Sequence, residues 1–409
     1  MAAFTSGGLS LRRKLLVVAG LYFVEGFPMG VFSDVWPVYF RRQGLDLGAI
    51  GWLSALGLAW SLKVFWSPLV DRFGERRGWI AGALVLMAAA LLALAGRAPR
   101  PDALLVAVLA AYCLASATQD VAIDAYTIGL TKPGEEGPVN ATRVTAYRIG
   151  VVAAGGGLLF LPRWIGWPAT FVFAAALSAA LAAGVLRAPR IAVPATARRD
   201  TLRPLLRWLR IPGAAGVLAF VLLFRIGDVA MGPMVKPLWV DRGFANEEIG
   251  AVTTALGSLA VVLGAGAGGA FVGRFGIGRG LLWLGLAALG SNLGYAAAAA
   301  FPASGRAGMY AASLVESFCS GLAVTAFLSF CMRITEKEHA AVQYALLSAL
   351  FVLPGRLLGG ASGQITQQIG YAAYFILTAA AALPAFAFLP WARARLALLA
   401  ADAAPTPGS

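Results

Sequence analysis

Long apolar stretches, separated by short charged or Pro/Gly-rich interruptions, dominate the chain. About 20 apolar residues are needed to cross the hydrocarbon core of a bilayer as a helix, and stretches of that length recur twelve times. We therefore predict twelve membrane-spanning helices. The predicted spans are 15–40, 46–70, 78–96, 102–130, 138–162, 166–187, 212–240, 246–272, 278–300, 306–335, 338–366 and 370–395.

The composition agrees with a membrane location, since 59% of the 409 residues are hydrophobic and only 13% are charged. The net charge of +14 would suit a nucleic-acid partner if it were clustered, but Lys and Arg concentrate in the segments that alternate with the predicted outer loops. This distribution follows the positive-inside rule and predicts that both termini are cytoplasmic. We expect a multi-pass protein of the cell inner membrane that contacts the lipid bilayer and no nucleic acid.

A basic, proline-containing segment without a long apolar run divides the chain at 191–210. Its positive charges indicate a cytoplasmic linker that contacts anionic lipid. It separates two predicted halves, an N-terminal six-helix bundle at 1–190 and a C-terminal six-helix bundle at 211–409.

The two halves carry similar segments in the same order, which indicates an internal duplication. The paired segments are FRRQGLDLGAIG at 40–51 with WVDRGFANEEIG at 239–250, VDRFG at 70–74 with VGRFG at 272–276, and GWPATFVF at 166–173 with GYAAYFIL at 370–377. Parallel repeats of six helices are typical of major facilitator transporters. The predicted fold class is therefore an all-α integral membrane protein of the major facilitator type, with 12 transmembrane helices in two six-helix halves.

Asp120 and Asp124 stand one helical turn apart in the fourth predicted span. A charged side chain at the centre of a membrane helix costs roughly 2.5 to 3.5 kcal/mol on insertion, so such residues usually serve a function. With a rise of about 1.5 Å per residue, Asp120 and Arg148 of the fifth span reach similar depths and are expected to pair. The second carboxylate is then in excess and is a candidate to take a proton.

Glu25 of the first span is predicted at a comparable depth, close to Gly26, Pro28 and Gly30, which loosen the helix. It is the leading candidate for a proton carrier, because a carboxyl group that moves between a desolvated site and the neighbourhood of an arginine changes its proton affinity. The alternative, of equal weight, is a structural hydrogen bond to a neighbouring helix.

In the second half, Arg225 and Asp228 stand at i and i+3 and therefore share one helix face. Mutual neutralisation is slightly favoured over substrate recognition. Lys236 and Glu316 add charge in the outer part of the predicted bundle, and Arg356 closely follows a proline. Basic groups in this setting suit a cargo that carries carboxylates or phosphates.

Lys63, Asp71 and Arg72 flank the end of the second span and the short inner loop that follows it. We predict that they belong to the cytoplasmic gate, where ion-pair partners change between conformations, rather than to the cargo site.

Several stretches carry a resemblance to a known family: KVFWSPLVDRFGERRGW at 63–79, SATQDVAIDAY at 116–126, YRIGVVAAGG at 147–156 and IGWPATF at 165–171. They resemble the AmpG-like muropeptide permeases, a branch of the major facilitator superfamily, and the resemblance implies a transporter. We include Gln119, Tyr126 and Tyr147, which lie in these stretches, among the candidate substrate or charge-network residues. The branch also includes proteins similar to siderophore importers and acetyl-coenzyme A transporters, so the cargo stays open.

We therefore predict a secondary active transporter that imports anhydro-muropeptides or a similar small polar anionic solute by alternating access. A proton gradient would supply the energy, and no bound cofactor or metal is expected. Arg148, Lys236 and Arg356 would face the anionic cargo. We expect a small-molecule substrate and a monomer. A siderophore or another organic anion is the alternative cargo.

A membrane-embedded enzyme of the acyltransferase type is the alternative from another class. The only histidine, His339, lies in a predicted charged loop, and the chain contains no G-x-S-x-G elbow, phosphate-binding loop or metal-ligand spacing. The sequence therefore favours transport over catalysis, and no catalytic residue is assigned.

Overall fold

The computed structural model describes residues 9–73, 75–97, 99–132, 135–190, 213–334 and 340–401, and every regular element within these ranges is helical. We number the helical segments α1 to α12 in chain order. They are α1 (Leu11–Arg42), α2 (47–72), α3 (Arg76–Ala95), α4 (Ala103–Leu130), α5 (136–160), α6 (Pro162–Leu186), α7 (Ala214–Asp241), α8 (Asn246–Phe275), α9 (Ile277–Ala300), α10 (Gly305–Ile334), α11 (340–369) and α12 (371–401).

Nine helices in the described ranges are long and apolar enough to cross a membrane. Two predicted spans fall outside this number for local reasons: α2 is interrupted by tight turns at Ala55–Gly57 and Lys63–Phe65, and α5 begins in polar residues. A third is joined to its neighbour, because α11 and α12 are separated only by Gly370. Nine helices are thus consistent with the twelve spans predicted from the sequence.

Two pairs of glycines repeat the duplication in the backbone. Gly44 and Gly243 occupy the same position of the first paired segments, and their φ angles are 83° and 77°. Gly166 and Gly370 begin another pair of segments, with φ angles of 74° and 80°. Positive φ is accessible to glycine without the penalty that a Cβ atom imposes. Equivalent turns therefore require glycine in both halves of the sequence.

The chain divides into two compact units, which differ from the predicted halves in one segment. The first unit contains residues 1–197 together with 239–255, and the second contains 198–238 and 256–409. The end of α7 and the start of α8 thus pack with the first unit, although their sequence belongs to the second repeat. The predicted linker at 191–210 lies outside the described residues, so the domain boundaries stay a prediction.

In the first unit, glycines allow α1 and α5 to approach closely. A Cβ atom on Gly26 would overlap the carbonyl oxygen of Tyr147, and one on Gly150 would overlap the carbonyl oxygen of Phe23. Small residues at such crossings let helix backbones meet in a membrane protein. This contact brings the polar side chains of α1 towards those of α5.

In the second unit, apolar side chains from α7, α9, α10 and α12 form the core. Phe224 of α7 stacks on Phe327 of α10, with ring centroids 5.3 Å apart. Glycines again permit close helix contact, since a Cβ atom on Gly264 of α8 would overlap the carbonyl oxygen of Phe318 on α10. The charged residues of α7 and α10 lie beside this apolar core.

Candidate functional site

A cluster of charged side chains lies within the membrane-spanning part of the first unit. It draws residues from α1, α2, α4 and α5, and its two aspartates are one turn apart on α4, as i, i+4 spacing requires. The broken geometry of α2 and the glycine contacts between α1 and α5 bring the other members to them.

Asp124 is the more exposed of the two aspartates and has two donors on one oxygen. Its Oδ1 accepts hydrogen bonds of 2.7 Å from the hydroxyl of Tyr22 and of 2.7 Å from Nη2 of Arg143. The guanidinium of Arg143 also lies over the Tyr22 ring, 4.6 Å from its centroid. A cation held between a carboxylate and an aromatic face is a stable arrangement, so these three residues act as one unit.

Asp120 is buried, and Lys63 of α2 is its described basic neighbour. Nζ of Lys63 lies 3.5 Å from Oδ2 of Asp120. The structure brings the ammonium group of Lys63 to this α4 aspartate, and the gate role that the sequence predicts for Lys63 stays a prediction. The side chains of the other two gate candidates, Asp71 and Arg72, lie outside the described part of the chain. Their assignment stays a prediction.

Glu25 lies on α1 within electrostatic range of both aspartates and of Lys63 and Arg143. Its Oε2 is buried and has no hydrogen-bond partner among the described residues. A carboxylate oxygen without a partner is costly in a desolvated place. Protonation removes that cost, so the position suits a group that gains and loses a proton.

Arg148 is half-buried on α5, five residues beyond Arg143 on the same helix. Its predicted pairing with Asp120 stays a prediction. The sequence candidates include Arg148, whereas Arg143 is the α5 arginine whose contact with Asp124 is described. Arg143 and Tyr22 are thus cluster members that the sequence candidates did not include.

The remaining α4 candidates bind backbone atoms of neighbouring segments. Nε2 of the buried Gln119 donates a 2.9 Å hydrogen bond to the carbonyl of Val24, and the hydroxyl of Tyr126 donates one of 2.7 Å to the carbonyl of Pro189. Tyr147 contributes its backbone to the contact with Gly26. These bonds hold α4 against α1 and the end of α6, and roles in substrate binding stay predictions.

A buried carboxylate in the C-terminal half of α1 is also absent from the sequence candidates. Asp34 lies in a π-helical turn at Val31–Val35, and its carboxylate occupies the space where a Cβ atom on Gly155 would stand. Gly155 itself belongs to the π-helical turn of α5, Val152–Gly157. Turns of this type often occur at functional sites. The sequence signal is Asp34 itself, an acid within an apolar span.

The second unit holds a separate polar cluster on α7, α9 and α10. Nη1 of Arg225 lies 3.1 Å from Oδ2 of Asp228, and the same guanidinium approaches the hydroxyl of Ser320 at 3.4 Å. Nδ2 of Asn292 donates to Oδ1 of Asp228 at 3.3 Å. Arg225 and Asp228 therefore neutralise each other on one helix face.

Glu316 of α10 extends this second cluster. Its Oε2 lies 3.5 Å from the Ser317 hydroxyl, and Asp228, Arg225 and Lys236 are within electrostatic range. Lys236 is buried on α7, and Arg356 is half-buried on α11. These residues are the described charged candidates of α7, α10 and α11 in the second unit.

Basic residues of α1 and α6 bind the segment 239–255 inside the first unit. The guanidinium of Arg41 pairs with the carboxylate of Asp241 through two contacts, of 2.5 and 2.8 Å. The contacts beside this pair are Arg42 with Asn246 at 2.9 Å, Arg42 with the carbonyl of Phe244, and Arg163 with Glu247 at 3.1 Å. The two paired segments of the duplication at 40–51 and 239–250 thus contact each other directly.

In the described ranges, no group of three or more His, Cys, Asp or Glu residues has the geometry of a metal site. The clusters instead combine carboxylates with ammonium and guanidinium groups at the level of apolar helices. Such sets are found along ion and substrate pathways in membrane proteins.

Comparison with known proteins identifies the family. The model of the Major Facilitator Superfamily matches residues 18–359. The anhydromuropeptide permease of Escherichia coli (strain K12) is 32% identical over 392 residues, which cover 92% of this chain and 79% of the relative. A putative transporter, AmpG 4 of Rickettsia felis, is 27% identical and covers 92% of this chain and 95% of its own.

Solved structures show the same fold. The nucleoside transporter NupG is similar with a TM-score of 0.75 and 18% identity, covering 92% of this chain and 98% of its own. A D-xylose-proton symporter is similar with a TM-score of 0.69 and 14% identity, covering 94% of this chain and 99% of its own. The chain therefore belongs to the AmpG-like branch of the major facilitator superfamily and is a multi-pass membrane transporter of small molecules, not an enzyme.

Proposed function

We propose that the protein is a proton-coupled importer of anhydro-muropeptides in the cell inner membrane. In this proposal both termini are cytoplasmic, the protein acts as a monomer, and the proton gradient supplies the energy without a bound cofactor. The name of the E. coli relative supports the cargo. The halves 1–190 and 211–409 would alternate access by moving as bodies, as the duplication suggests.

The charge balance of the first cluster supports proton coupling most directly. Among its described side chains, Glu25, Asp120 and Asp124 are acids and Lys63 and Arg143 are bases. Each base is paired with one aspartate, which leaves Glu25 as the acid in excess. A proton on Glu25 makes the cluster neutral, and its release leaves one negative charge in a desolvated place.

The cargo proposal depends on basic groups that can bind carboxylates. The peptide part of a muropeptide carries carboxylate groups, and guanidinium binds such groups through two parallel hydrogen bonds. Arg148 in the first unit is our candidate for this contact, and Lys236 and Arg356 are the candidates in the second unit. Sugar hydroxyls would use polar side chains of the same helices.

Uptake by proteoliposomes tests the proposal. The protein is reconstituted, and entry of labelled anhydro-muropeptide is measured with and without an inward proton gradient. We expect accumulation that requires the gradient and that is abolished in Arg148→Ala. Arg100→Ala is the matched control, because Arg100 is an exposed arginine outside the helices, and this variant should retain uptake.

Two results would redirect the proposal. Uptake that is equal with and without the proton gradient would refute proton coupling but would leave the cargo assignment in place. An absence of uptake by folded protein would remove the cargo assignment, and the same vesicles would then be offered ferric siderophores and other small organic anions.

A further inference from the structure

A groove of about 570 Å³ opens on the surface of the first unit, away from the charged cluster. One wall is a stripe of α3 at i, i+4 and i+8, formed by Gly78, Gly82 and Leu86. Leu114 and Thr118 of α4 form the opposite wall. Thr118 lies about half a turn round α4 from Asp120, so the groove and the cluster use different faces of that helix.

The glycines make the groove, since a Cβ atom on Gly78 or Gly82 would meet no heavy atom within 4 Å. These positions are therefore empty notches, unlike Gly26, where backbone fills the space. Between Gly78 and Leu86 the stripe runs about 12 Å along the helix axis. A narrow apolar channel of that length beside a membrane-spanning helix has the form of a site for a hydrocarbon chain.

The wall at one end of the groove is fixed by the loop that leads into α3. Nε1 of Trp79 donates a 2.5 Å hydrogen bond to the carbonyl of Phe73, and both side chains line the groove. This bond holds the indole ring in place. The apolar channel therefore ends at an aromatic wall at the N-terminal end of α3.

The same end of the groove carries an excess of positive charge. Glu75 lines the groove there, and Arg77 and Arg190 approach its carboxylate at 2.7 and 3.3 Å. Two guanidinium groups thus approach the one described carboxylate at this end of the groove. Arg190 is half exposed and has five N–H donors, so that it can also bind a phosphate.

We propose that this groove binds a membrane phospholipid of the cytoplasmic leaflet, with one acyl chain along Gly78, Gly82 and Leu86 and its phosphate at Arg190. Moving an acyl chain from bilayer to groove gains no hydrophobic free energy, since both surroundings are apolar. Selectivity must then come from shape and from the headgroup. The surplus of guanidinium groups selects an anionic headgroup.

Photo-crosslinking tests the site. The intact protein is placed in vesicles that contain phosphatidylglycerol with a diazirine on one acyl chain, and the labelled peptides are mapped by mass spectrometry. We expect labelling concentrated at 78–86 and 114–118, and reduced in Gly82→Leu to the yield of other exposed helix faces. Gly184→Leu is the matched control, because Gly184 of α6, like Gly82 of α3, is an exposed glycine with no heavy atom within 4 Å of a Cβ.

A competition experiment with unlabelled lipids tests the headgroup contact separately. In Arg190→Gln, competition by unlabelled phosphatidylglycerol should weaken about five-fold, whereas competition by phosphatidylcholine should not change. Leu114→Trp fills the groove from the other wall and keeps the test decisive if Gly82→Leu does not fold, as judged by thermal unfolding. Labelling that spreads evenly over all exposed helices, or that persists in both groove-filling variants, would overturn the proposal.

Discussion

Arg143 of α5 and Asp124 of α4 form an ion pair of 2.7 Å across the hairpin that joins these helices. The Tyr22 hydroxyl binds the same carboxylate oxygen, and its ring lies beneath the guanidinium. About a third of each charged side chain is exposed, so solvent screens the pair. The contact is thus available to exchange partners, unlike a fully buried ion pair.

Removing this guanidinium should affect transport more than stability. For Arg143→Gln we expect a loss of stability below about 1 kcal/mol, because a screened pair contributes little. Uptake should fall at least ten-fold if Asp124 must be neutralised during the cycle. Thermal unfolding in detergent and proteoliposome uptake measure the two effects.

Arg143→Lys separates charge from geometry in the same assays. The ammonium group keeps the positive charge but loses the planar fork and the stacking on Tyr22. We expect intermediate uptake. A large loss of stability in Arg143→Gln with normal uptake would show that the pair is only a structural contact.

The contact between Lys63 and Asp120 should behave differently, because Asp120 is buried. Lys63→Met removes the ammonium group that faces its Oδ2, and an unsatisfied buried charged group costs about 1 to 3 kcal/mol. We therefore expect a lower unfolding temperature for Lys63→Met. The double variant Lys63→Met with Asp120→Asn should regain much of the loss, since neither charge then remains.

The double variant provides the internal control for that experiment. If Lys63→Met unfolds at the temperature of the unaltered protein, the 3.5 Å contact does not stabilise the fold, and the result favours the gate role predicted for Lys63. Lys63→Arg should keep most of the stability, because a guanidinium can also reach the carboxylate.

The overall fold could be predicted from the sequence because the length of each apolar stretch and its polar flanks predict each helix separately. The positive-φ turns at Gly166 and Gly370 divide apolar segments where the repeated sequence changes from one span to the next. The contacts around α2 were harder to foresee. Tight turns at Ala55–Gly57 and Lys63–Phe65 change the direction of the helix, and a straight helix would aim Lys63 differently.

The contact between Asp124 and Arg143 follows from the adjoining ends of α4 and α5 rather than from depth. Depth, counted from a start of the fifth span at Pro138, predicts Arg148 as the partner of Asp120, and that pairing stays a prediction. The described part of α4 ends at Leu130, and α5 begins at Glu136. Residues at similar distances from the adjoining ends of two successive antiparallel helices lie near each other, and Asp124 and Arg143 are six and seven residues from those ends. Hairpin symmetry is thus the signal that identifies this pair.

Glu25→Gln should uncouple transport from the proton gradient. The amide keeps the size of the side chain and cannot release a proton, so the variant should bind and exchange cargo but not accumulate it. Exchange of labelled for unlabelled cargo, compared with gradient-driven uptake, separates the two activities. Accumulation should fall to the equilibrium level while exchange stays within about two-fold of its original rate.

Glu316→Gln serves as the matched comparison. Like Glu25 in the first cluster, Glu316 in the second cluster is an acid for which no ion pair is described. If this variant uncouples transport and Glu25→Gln does not, the proton carrier lies in the second unit. If both retain pH dependence, the coupling acid is Asp120 or Asp124.

The pair formed by Arg41 and Asp241 should hold the segment 239–255 against α1. Its two contacts are partly exposed, so Arg41→Asp is expected to weaken local protection by about 1 kcal/mol, or roughly five-fold in amide exchange of residues 239–250. The swapped variant, Arg41→Asp with Asp241→Arg, should restore slow exchange.

Hydrogen–deuterium exchange followed by mass spectrometry measures this effect directly. Peptides from α9, which belongs to the second unit, provide the reference within the same molecule. Faster exchange in every peptide would indicate global destabilisation, and unchanged exchange at 239–250 would exclude a holding role for the pair.

The ion pair between Lys14 and Glu135 predicts a dependence of stability on acid pH. Lys14 is fully buried, and its Nζ lies 2.6 Å from Oε2 of Glu135. The hydrogen bond from Lys14, with a second from the backbone of Lys132, lowers the pKa of Glu135 below its ordinary value of 4.5. The carboxylate is therefore stabilised in the folded protein more than in the unfolded chain.

Because the pKa is lowered on folding, this stabilisation is complete above pH 4.5 and is lost as the pH falls through the folded-state pKa. Unfolding temperatures measured from pH 7 down to pH 3 should show a fall that Glu135→Gln lacks, since the variant is already destabilised at neutral pH. The pKa of Glu75 is lowered in the same direction by the Arg77 hydrogen bond, but Glu75 is more than half exposed. Glu75→Gln should thus leave the decrease in unfolding temperature at acid pH almost unchanged. If Glu75→Gln and Glu135→Gln reduce this decrease equally, the burial of Lys14 does not account for the stabilisation.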